Sequence, residues 1–206
     1  MIAVVDYGLG NVRAFQNVYE RLNLQVSIVS SRGDLMKADR IIVPGVGAFD
    51  DAMSRLERSG MRPALEECVL ERRVPVLGVC VGMQMLGDTS EEGCLGGLGW
   101  VHGRVKRLPA GSPGPSMCVP HMGWDEVSTV REDGLFAGLT LGARFYFLHS
   151  YYFEAESEDS IIAVTKYGQD FACAIRAANV YGVQFHPEKS HAWGVRLLEN
   201  FARVAG

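Results

Sequence analysis

The sequence has no C-x-x-C pair, and its five cysteines, Cys68, Cys80, Cys94, Cys118 and Cys173, are odd in number. Neither a disulfide framework nor a zinc knuckle is indicated. A complete G-x-G-x-x-G or G-x-x-x-x-G-K is also missing, so nothing points to a dinucleotide or a nucleoside triphosphate, and no cofactor or metal is called for. Basic excess is absent: the formal charge is -4 over 206 residues, which argues against a nucleic-acid partner. No apolar run approaches the ~18 residues of a membrane span. The longest, around Val74 to Met83, contains Pro75. The N-terminus, Met1-Ile2-Ala3-Val4-Val5-Asp6, lacks a charged leader and meets an acid too early for a signal peptide. A cytoplasmic chain without membrane contact is expected. Internal repeats and long linkers are lacking too, so residues 1–206 are read as a single domain.

What is present centres on Val74-Pro75-Val76-Leu77-Gly78-Val79-Cys80-Val81-Gly82. An apolar run of strand length ends on a G-x-C-x-G turn, and an apolar, helix-compatible segment follows. A nucleophile flanked by glycines at such a junction occupies a sharp, strained, exposed turn. The expected helix would aim its unpaired N–H groups at the sulfur and favour the thiolate. A buried cysteine that merely packs as a small hydrophobe is the competing reading.

Taken in order, Ile2 to Asp6 reads as a buried strand, and Asn11 as the cap of a helix carrying Val12, Phe15, Tyr19 and Leu22. Strands are expected near Val26–Val29 and over Arg40–Val43, the latter stopping at Pro44-Gly45-Val46-Gly47. Helices follow from Ala48 through Leu56 and from Pro63 to Arg72, before the central strand. This alternation predicts an α/β fold: an open, mostly parallel sheet with helices on both faces. Functional groups of such sheets gather at the carboxyl ends of the strands, which puts Pro44–Gly47 and Cys80 on one rim.

Beyond Leu86 the pattern becomes strand-rich, and an antiparallel β insertion is expected. Trp100–Val105, Met117–Val119, Trp124–Val127, Arg144–Phe153, Ile161–Thr165, Phe171–Arg176 and Val180–Phe185 read as strands, and Pro109–Ser116 as an irregular loop. An amphipathic helix carrying Trp193, Leu197, Leu198, Phe201 and Val204 closes the chain.

A thiolate nucleophile needs a base, an orienting group and oxyanion donors. His186 follows a strand as Cys80 does, and Pro187 restricts it to an extended conformation. Glu188 would lie on the same side as His186 if the segment stays extended, ready to hold the imidazole tautomer. Alone, H-P-E is equally a surface turn. The backbone N–H of Val81 is one oxyanion donor, and the Pro44–Gly47 loop, at Val46, supplies the second.

Together, the elbow, the Pro44–Gly47 loop and His186-Pro187-Glu188 resemble the class I (triad) glutamine amidotransferases. Pro44–Phe49, Pro120-His121-Met122-Gly123-Trp124, Tyr146–Tyr151 and Gly182–Ser190 are similar, more narrowly, to the glutaminase subunits of imidazole glycerol phosphate synthases. The resemblance runs from Val4 almost to the C-terminus. It implies glutamine hydrolysis to glutamate and ammonia by Cys80, His186 and Glu188. The ammonia would pass to a (β/α)8-barrel cyclase subunit, in a heterodimer that serves histidine biosynthesis. It also implies that Gly47, Gln84, Glu92, His149, Ser150 and Tyr151 contact glutamine. Pro120, His121, Met122, Gly123, Trp124 and Lys189 would meet the partner. Two residues depart from the pattern: Val81 stands for the usual leucine, and Asp125 for the usual asparagine. The glutaminase of another synthase, such as anthranilate synthase, is an alternative within the fold. An inert binding subunit and an unrelated thiol hydrolase are alternatives outside it.

Overall fold

The computed structural model describes residues 1–109, 118–139 and 142–204. Its first half is a run of parallel strands: β1 (Ile2–Val5), β2 (Val26–Val29), β3 (Arg40–Gly45) and β4 (Val76–Cys80). They are joined by α1 (Val12–Arg21), α2 (Arg32–Leu35), α3 (Phe49–Ser59) and α4 (Arg62–Glu66). A single π-turn, Glu67–Glu71, extends α4, and α5 (Val81–Gln84) follows β4 directly. β1, β3 and β4 are almost wholly buried, which explains why they read as continuous apolar runs rather than alternating ones.

The second half supplies β5 (Thr89–Ser90), β6 (Gly103–Arg107), β7 (His121–Glu126), β8 (Ser128–Thr129), β9 (Arg144–His149) and β10 (Tyr151–Ala155). β11 (Ile161–Tyr167), β12 (Gln169–Ala177), β13 (Val180–Val183) and the closing α6 (His191–Phe201) complete it. The large sheet runs β2-β1-β3-β4-β13-β12-β10-β6-β5, with β11 on β12 and β8 on β11; β7 and β9 form a separate antiparallel pair.

The sheet is parallel from β2 through β13 and antiparallel from β13 through β12 and β10 to β6. The chain moves from β1 outward to β2, then back across to β3 and β4. Right-handed crossovers therefore put α1 on one face and α2, α3 and α4 on the other. The helix contacts agree: α1 packs against α6, while α4 meets α2 and α3. The fold is the expected one, an open and mostly parallel sheet with helices and an antiparallel β insertion.

Several local expectations need correction. Asn11 makes no side-chain cap bond at the start of α1. β3 runs two residues past Val43, so Pro44 and Gly45 belong to the strand and the rim loop is Val46-Gly47-Ala48. The segment Arg144–Phe153 is two strands in two sheets, divided at Ser150. The strand begun at Trp100 starts only at Gly103, and the one at Trp124 begins earlier, at His121. Residues 110–117, which hold most of the expected Pro109–Ser116 loop and Met117, lie outside the described residues. No helix among the described residues is long and apolar enough to cross a membrane.

Candidate active site

The elbow is built by close backbone approach. Cys80 adopts φ 56°, ψ -114°, and α5 turns away at once. A Cβ on Gly78 would lie 2.5 Å from the Gly82 carbonyl oxygen, and one on Gly82 would lie 2.0 Å from the Val43 carbonyl oxygen. A Cβ on Gly45 would stand 2.4 Å from the Gly82 nitrogen. The three glycines therefore let β3, β4 and α5 touch backbone to backbone. The helix is shorter than expected: four residues, then a turn through Leu86 and Gly87.

Strand register brings the other parts to the same rim. Gly45 pairs with Cys80 across β3 and β4, so Val46 emerges beside the cysteine. Val183 pairs with Val79 on the other side, so the chain beyond β13 runs past Cys80 as Gln184, Phe185 and His186. The His186 N–H donates to the Tyr146 carbonyl (2.8 Å), and the Ser190 hydroxyl donates to the His186 carbonyl (2.6 Å). These bonds hold the histidine backbone from both sides.

Glu188 reaches His186 by a different route from the one expected. Pro187–Lys189 is a 3-10 turn rather than an extended segment, and it curls the carboxylate back so that Oε1 lies 3.0 Å from His186 Nδ1. Both side chains are almost fully buried. Glu188 Oε2 finds no hydrogen-bond donor among the described residues, so this buried charge is answered chiefly by His186. Burial lowers the His186 pKa, but hydrogen bonds and charge from Cys80 and Glu188 outweigh it, and His186 is pushed up to about 9. With Nδ1 facing Glu188, Nε2 is the nitrogen left for the sulfur.

A cavity of about 260 Å³ opens over Cys80. Val46, Gly47, Cys80, Val81, Gln84, Glu92, His149, Ser150, Tyr151 and His186 all line it, and Pro120 and Lys189 stand at its edge. Every residue expected to contact glutamine is thus on its wall, and both expected oxyanion donors flank the cysteine. Some of these side chains are already engaged. Gln84 Nε2 donates to the Tyr151 carbonyl (3.0 Å) and to Gln184 Oε1 (3.1 Å). Glu92 Oε2 accepts from the Phe49 N–H at the start of α3 (2.9 Å). His149 has both ring nitrogens occupied, one by the Tyr151 carbonyl (2.8 Å) and one by His121 (3.0 Å).

The expected partner face divides. Met122 is 61% exposed, and Pro120 and Lys189 are exposed, but the His121 side chain is wholly buried. It stacks between Phe147 and Tyr167, with centroids 4.7 and 4.0 Å away, so it faces the interior and not a partner. Its place at the first position of β7, pointing to the Tyr167 side, is the reason. Trp124 and Gly123 are half-buried, with Trp124 stacked on His191 at 5.0 Å.

Sequence reasoning passed over three neighbours of the cysteine. Gln184 is fully buried, and its Nε2 lies 3.9 Å from Cys80 Sγ. Leu148 lines the cavity, and its carbonyl lies 3.9 Å from Cys80 Sγ. The Tyr7 hydroxyl donates to the Pro44 carbonyl (2.6 Å), and its pKa is raised by burial and then by the charge of Cys80.

Comparison with known proteins agrees with this architecture. The chain is 54% identical over 205 residues to the "Imidazole glycerol phosphate synthase subunit HisH" of Bdellovibrio bacteriovorus, covering 99% of this chain and 100% of that one. The protein of the same name from Leptospira borgpetersenii is 48% identical over 204 residues, covering 99% and 100%. Among solved structures, a glutamine amidotransferase superposes with a TM-score of 0.75 at 20% identity, covering 98% of each chain. A glutamine amidotransferase from Thermotoga maritima does so with a TM-score of 0.64 at 16% identity, covering 98% of this chain and 82% of that one. The family model "Glutamine amidotransferase class-I" matches residues 3–205. The chain belongs to the class-I glutamine amidotransferase family.

Proposed function

We propose that this chain is the glutaminase subunit of a cytoplasmic imidazole glycerol phosphate synthase, acting as one amidotransferase domain over residues 1–206. The name carried by relatives about half identical over nearly the whole chain supports the choice of synthase. The observation that carries the chemistry is Cys80, held at φ 56° in a pocket that also presents His186, itself bonded to Glu188.

In this reading the Cys80 thiolate attacks the side-chain amide carbon of glutamine, with His186 as imidazolium beside it. The oxyanion is met by the N–H groups of Val46 and Val81. His186 hands its proton to the departing nitrogen, ammonia leaves, and a thioester remains on Cys80. His186, now neutral, takes a proton from water, whose attack on the thioester releases glutamate. Glu188 keeps the Nδ1 proton in place and stabilises the imidazolium through both steps. Gly47, Gln84, Glu92, His149, Ser150 and Tyr151 hold the substrate. Ammonia passes to a (β/α)8-barrel cyclase docked on the rim around Pro120, Met122, Gly123, Trp124 and Lys189.

Cys80→Ala in the two-subunit complex tests the division of labour. Glutamine-dependent synthesis is expected to vanish while synthesis from ammonium salts persists. Loss of both in an intact complex would overturn it, since the cyclase chemistry would then need Cys80.

A further inference from the structure

A second polar chain stands behind the pocket wall, and its protons can be counted. The Tyr151 carbonyl can only accept, so the proton between it and His149 sits on His149 Nδ1 (2.8 Å). Burial, and next the charge of His121, push His149 down to about 3. The ring is therefore neutral, and its Nε2 is a bare acceptor. His121 Nδ1, 3.0 Å away, must be the donor to it. The other nitrogen of His121, Nε2, lies 2.5 Å from Asp125 Oδ2. With its Nδ1 proton committed, a neutral His121 would turn a lone pair on the carboxylate. The contact holds only if Nε2 carries a proton as well.

The surroundings define who can supply the balancing charge. Asp125 faces His121 from its own strand and His149 from β9. The Phe147 and Tyr167 rings cover its faces, and Phe171 meets it edge-on at 6.0 Å. The Tyr167 hydroxyl is turned away, donating to the Cys118 carbonyl. Of these groups, Asp125 alone carries negative charge. The chain also continues toward the nucleophile: the same Tyr151 carbonyl accepts from Gln84, which bonds Gln184, whose Nε2 lies 3.9 Å from Cys80 Sγ.

We propose that His121 is a positioning residue: doubly protonated against Asp125, it fixes His149 and the Ser150–Tyr151 wall of the pocket, and that wall loosens when the pair loses its proton. Burial lowers the His121 pKa while Asp125 opposes the shift, so the wall is tight on the acid side and loosens as pH rises. An asparagine at 125 would change the logic, because its amide NH2 can donate to a bare Nε2. Asp125→Asn therefore closes the chain with a neutral imidazole, and the contact no longer requires a second proton on His121. The effect on the Michaelis constant rests on the glutaminase reading above; the proton count does not.

The test is nitrogen NMR of the full chain labelled at its five histidines, titrated beside glutamine kinetics of the complex. In the parent, His121 should show two ring N–H groups at low pH and lose the Nε2 proton as pH rises, with His149 shifting in step. In Asp125→Asn, His121 should keep one proton on Nδ1 and His149 should not move. Across the same range the parent's Michaelis constant should rise by a few-fold up to about tenfold, the size of one lost hydrogen bond, while that of Asp125→Asn stays flat. A His121 with its single proton on Nε2, or a His149 indifferent to it, would overturn the proton count. Matching kinetic profiles in parent and variant would overturn the positioning role. Absence of glutamine turnover in either, with the NMR behaviour intact, would overturn the glutaminase reading instead.

Discussion

At Cys80 the backbone holds an L residue at φ 56°, a conformation that costs about 1–3 kcal/mol and persists only where neighbours enforce it. Its neighbours in the pocket are equally constrained. His186 is almost fully buried, and its charge depends on Cys80 and Glu188. Glu188→Gln removes one of the two interactions that hold its pKa up, so the imidazole should titrate lower. A histidine whose pKa is about 9 in the folded chain and ~6.5 unfolded stabilises the fold fully below ~6.5 and loses that contribution as pH rises through about 9. The melting-temperature gap between parent and Glu188→Gln should therefore be widest near pH 6 and narrow toward pH 9.5. A constant gap would contradict the pairing. Turnover with glutamine should fall by about 10²–10⁴-fold in the same variant, as expected for a disabled proton shuttle. These three residues were legible as candidates because of local motifs, two glycines for Cys80 and the H-P-E run for the others, but the 3-10 turn that brings Glu188 onto His186 was not. Gln184, Tyr7 and the His121–Asp125 pair were not. Gln184 and Tyr7 meet groups distant in sequence, and His121 is turned onto its own strand's Asp125 by the packing of His149, Phe147 and Tyr167 around it; one sequence does not reveal that register.

Between residue and fold, the crossing of β3, β4 and α5 is where element packing sets the chemistry. Gly82→Ala places a methyl 2.0 Å from the Val43 carbonyl oxygen, against backbone that cannot rotate away. A loss of about 4 kcal/mol or more is expected, enough to abolish folding in many domains. Gly47 is a useful contrast. Nothing lies within 4 Å of its Cβ position, but its φ is +86°. Gly47→Ala should cost only about 1–3 kcal/mol and leave a folded chain, measurable by thermal melting. Equal penalties at the two sites would refute the distinction between crowding and backbone strain. Val46 is the rim residue next to the cysteine, and Val46→Pro deletes its N–H without altering Cys80, His186 or Glu188. Turnover should drop by roughly 10²–10³-fold, the usual loss for one oxyanion donor. Alkylation of Cys80 by a haloacetamide, which forms no oxyanion, should be unaffected; unchanged turnover in a folded variant would remove Val46 from the role. The sequence placed this loop two residues too early because Pro44 and Gly45 look like strand breakers. Here they are tolerated at the strand end, where Gly45 must approach Gly82. The division at Ser150 was hidden for a related reason, since β9 and β10 are both strand-like and only their different partners separate them.

Across the whole molecule, three of the six large apolar side chains exposed among the described residues, Val46, Met122 and Leu148, lie together on the pocket rim. Val46 and Leu148 line the cavity and are 38% and 37% exposed, and Met122 pairs in register with Leu148 across β7 and β9. Pro120 and the exposed Lys189, whose Nζ sits 5.7 Å from the Tyr146 ring centroid, continue the rim. An apolar rim around a pocket marks an interaction surface, and a cyclase seated there would cover the pocket mouth and receive ammonia without its passing through solvent. It would also rest on Val46, the proposed oxyanion donor, so docking can bias that donor's orientation. The isolated chain should then be a weak glutaminase, activated by the docked cyclase with its ligand bound. Coupling of this kind is typically ~1–3 kcal/mol, or roughly 5–150-fold. Met122→Asp separates docking from chemistry. Met122 does not line the cavity, so Cys80 alkylation in the isolated variant should match the parent. A carboxylate buried in an apolar contact should nevertheless weaken association by at least about tenfold, read by calorimetry against the cyclase. Glutamine turnover at limiting partner should fall with it and recover at saturating partner. Unchanged affinity would place the cyclase on another face and leave the apolar rim without its proposed occupant.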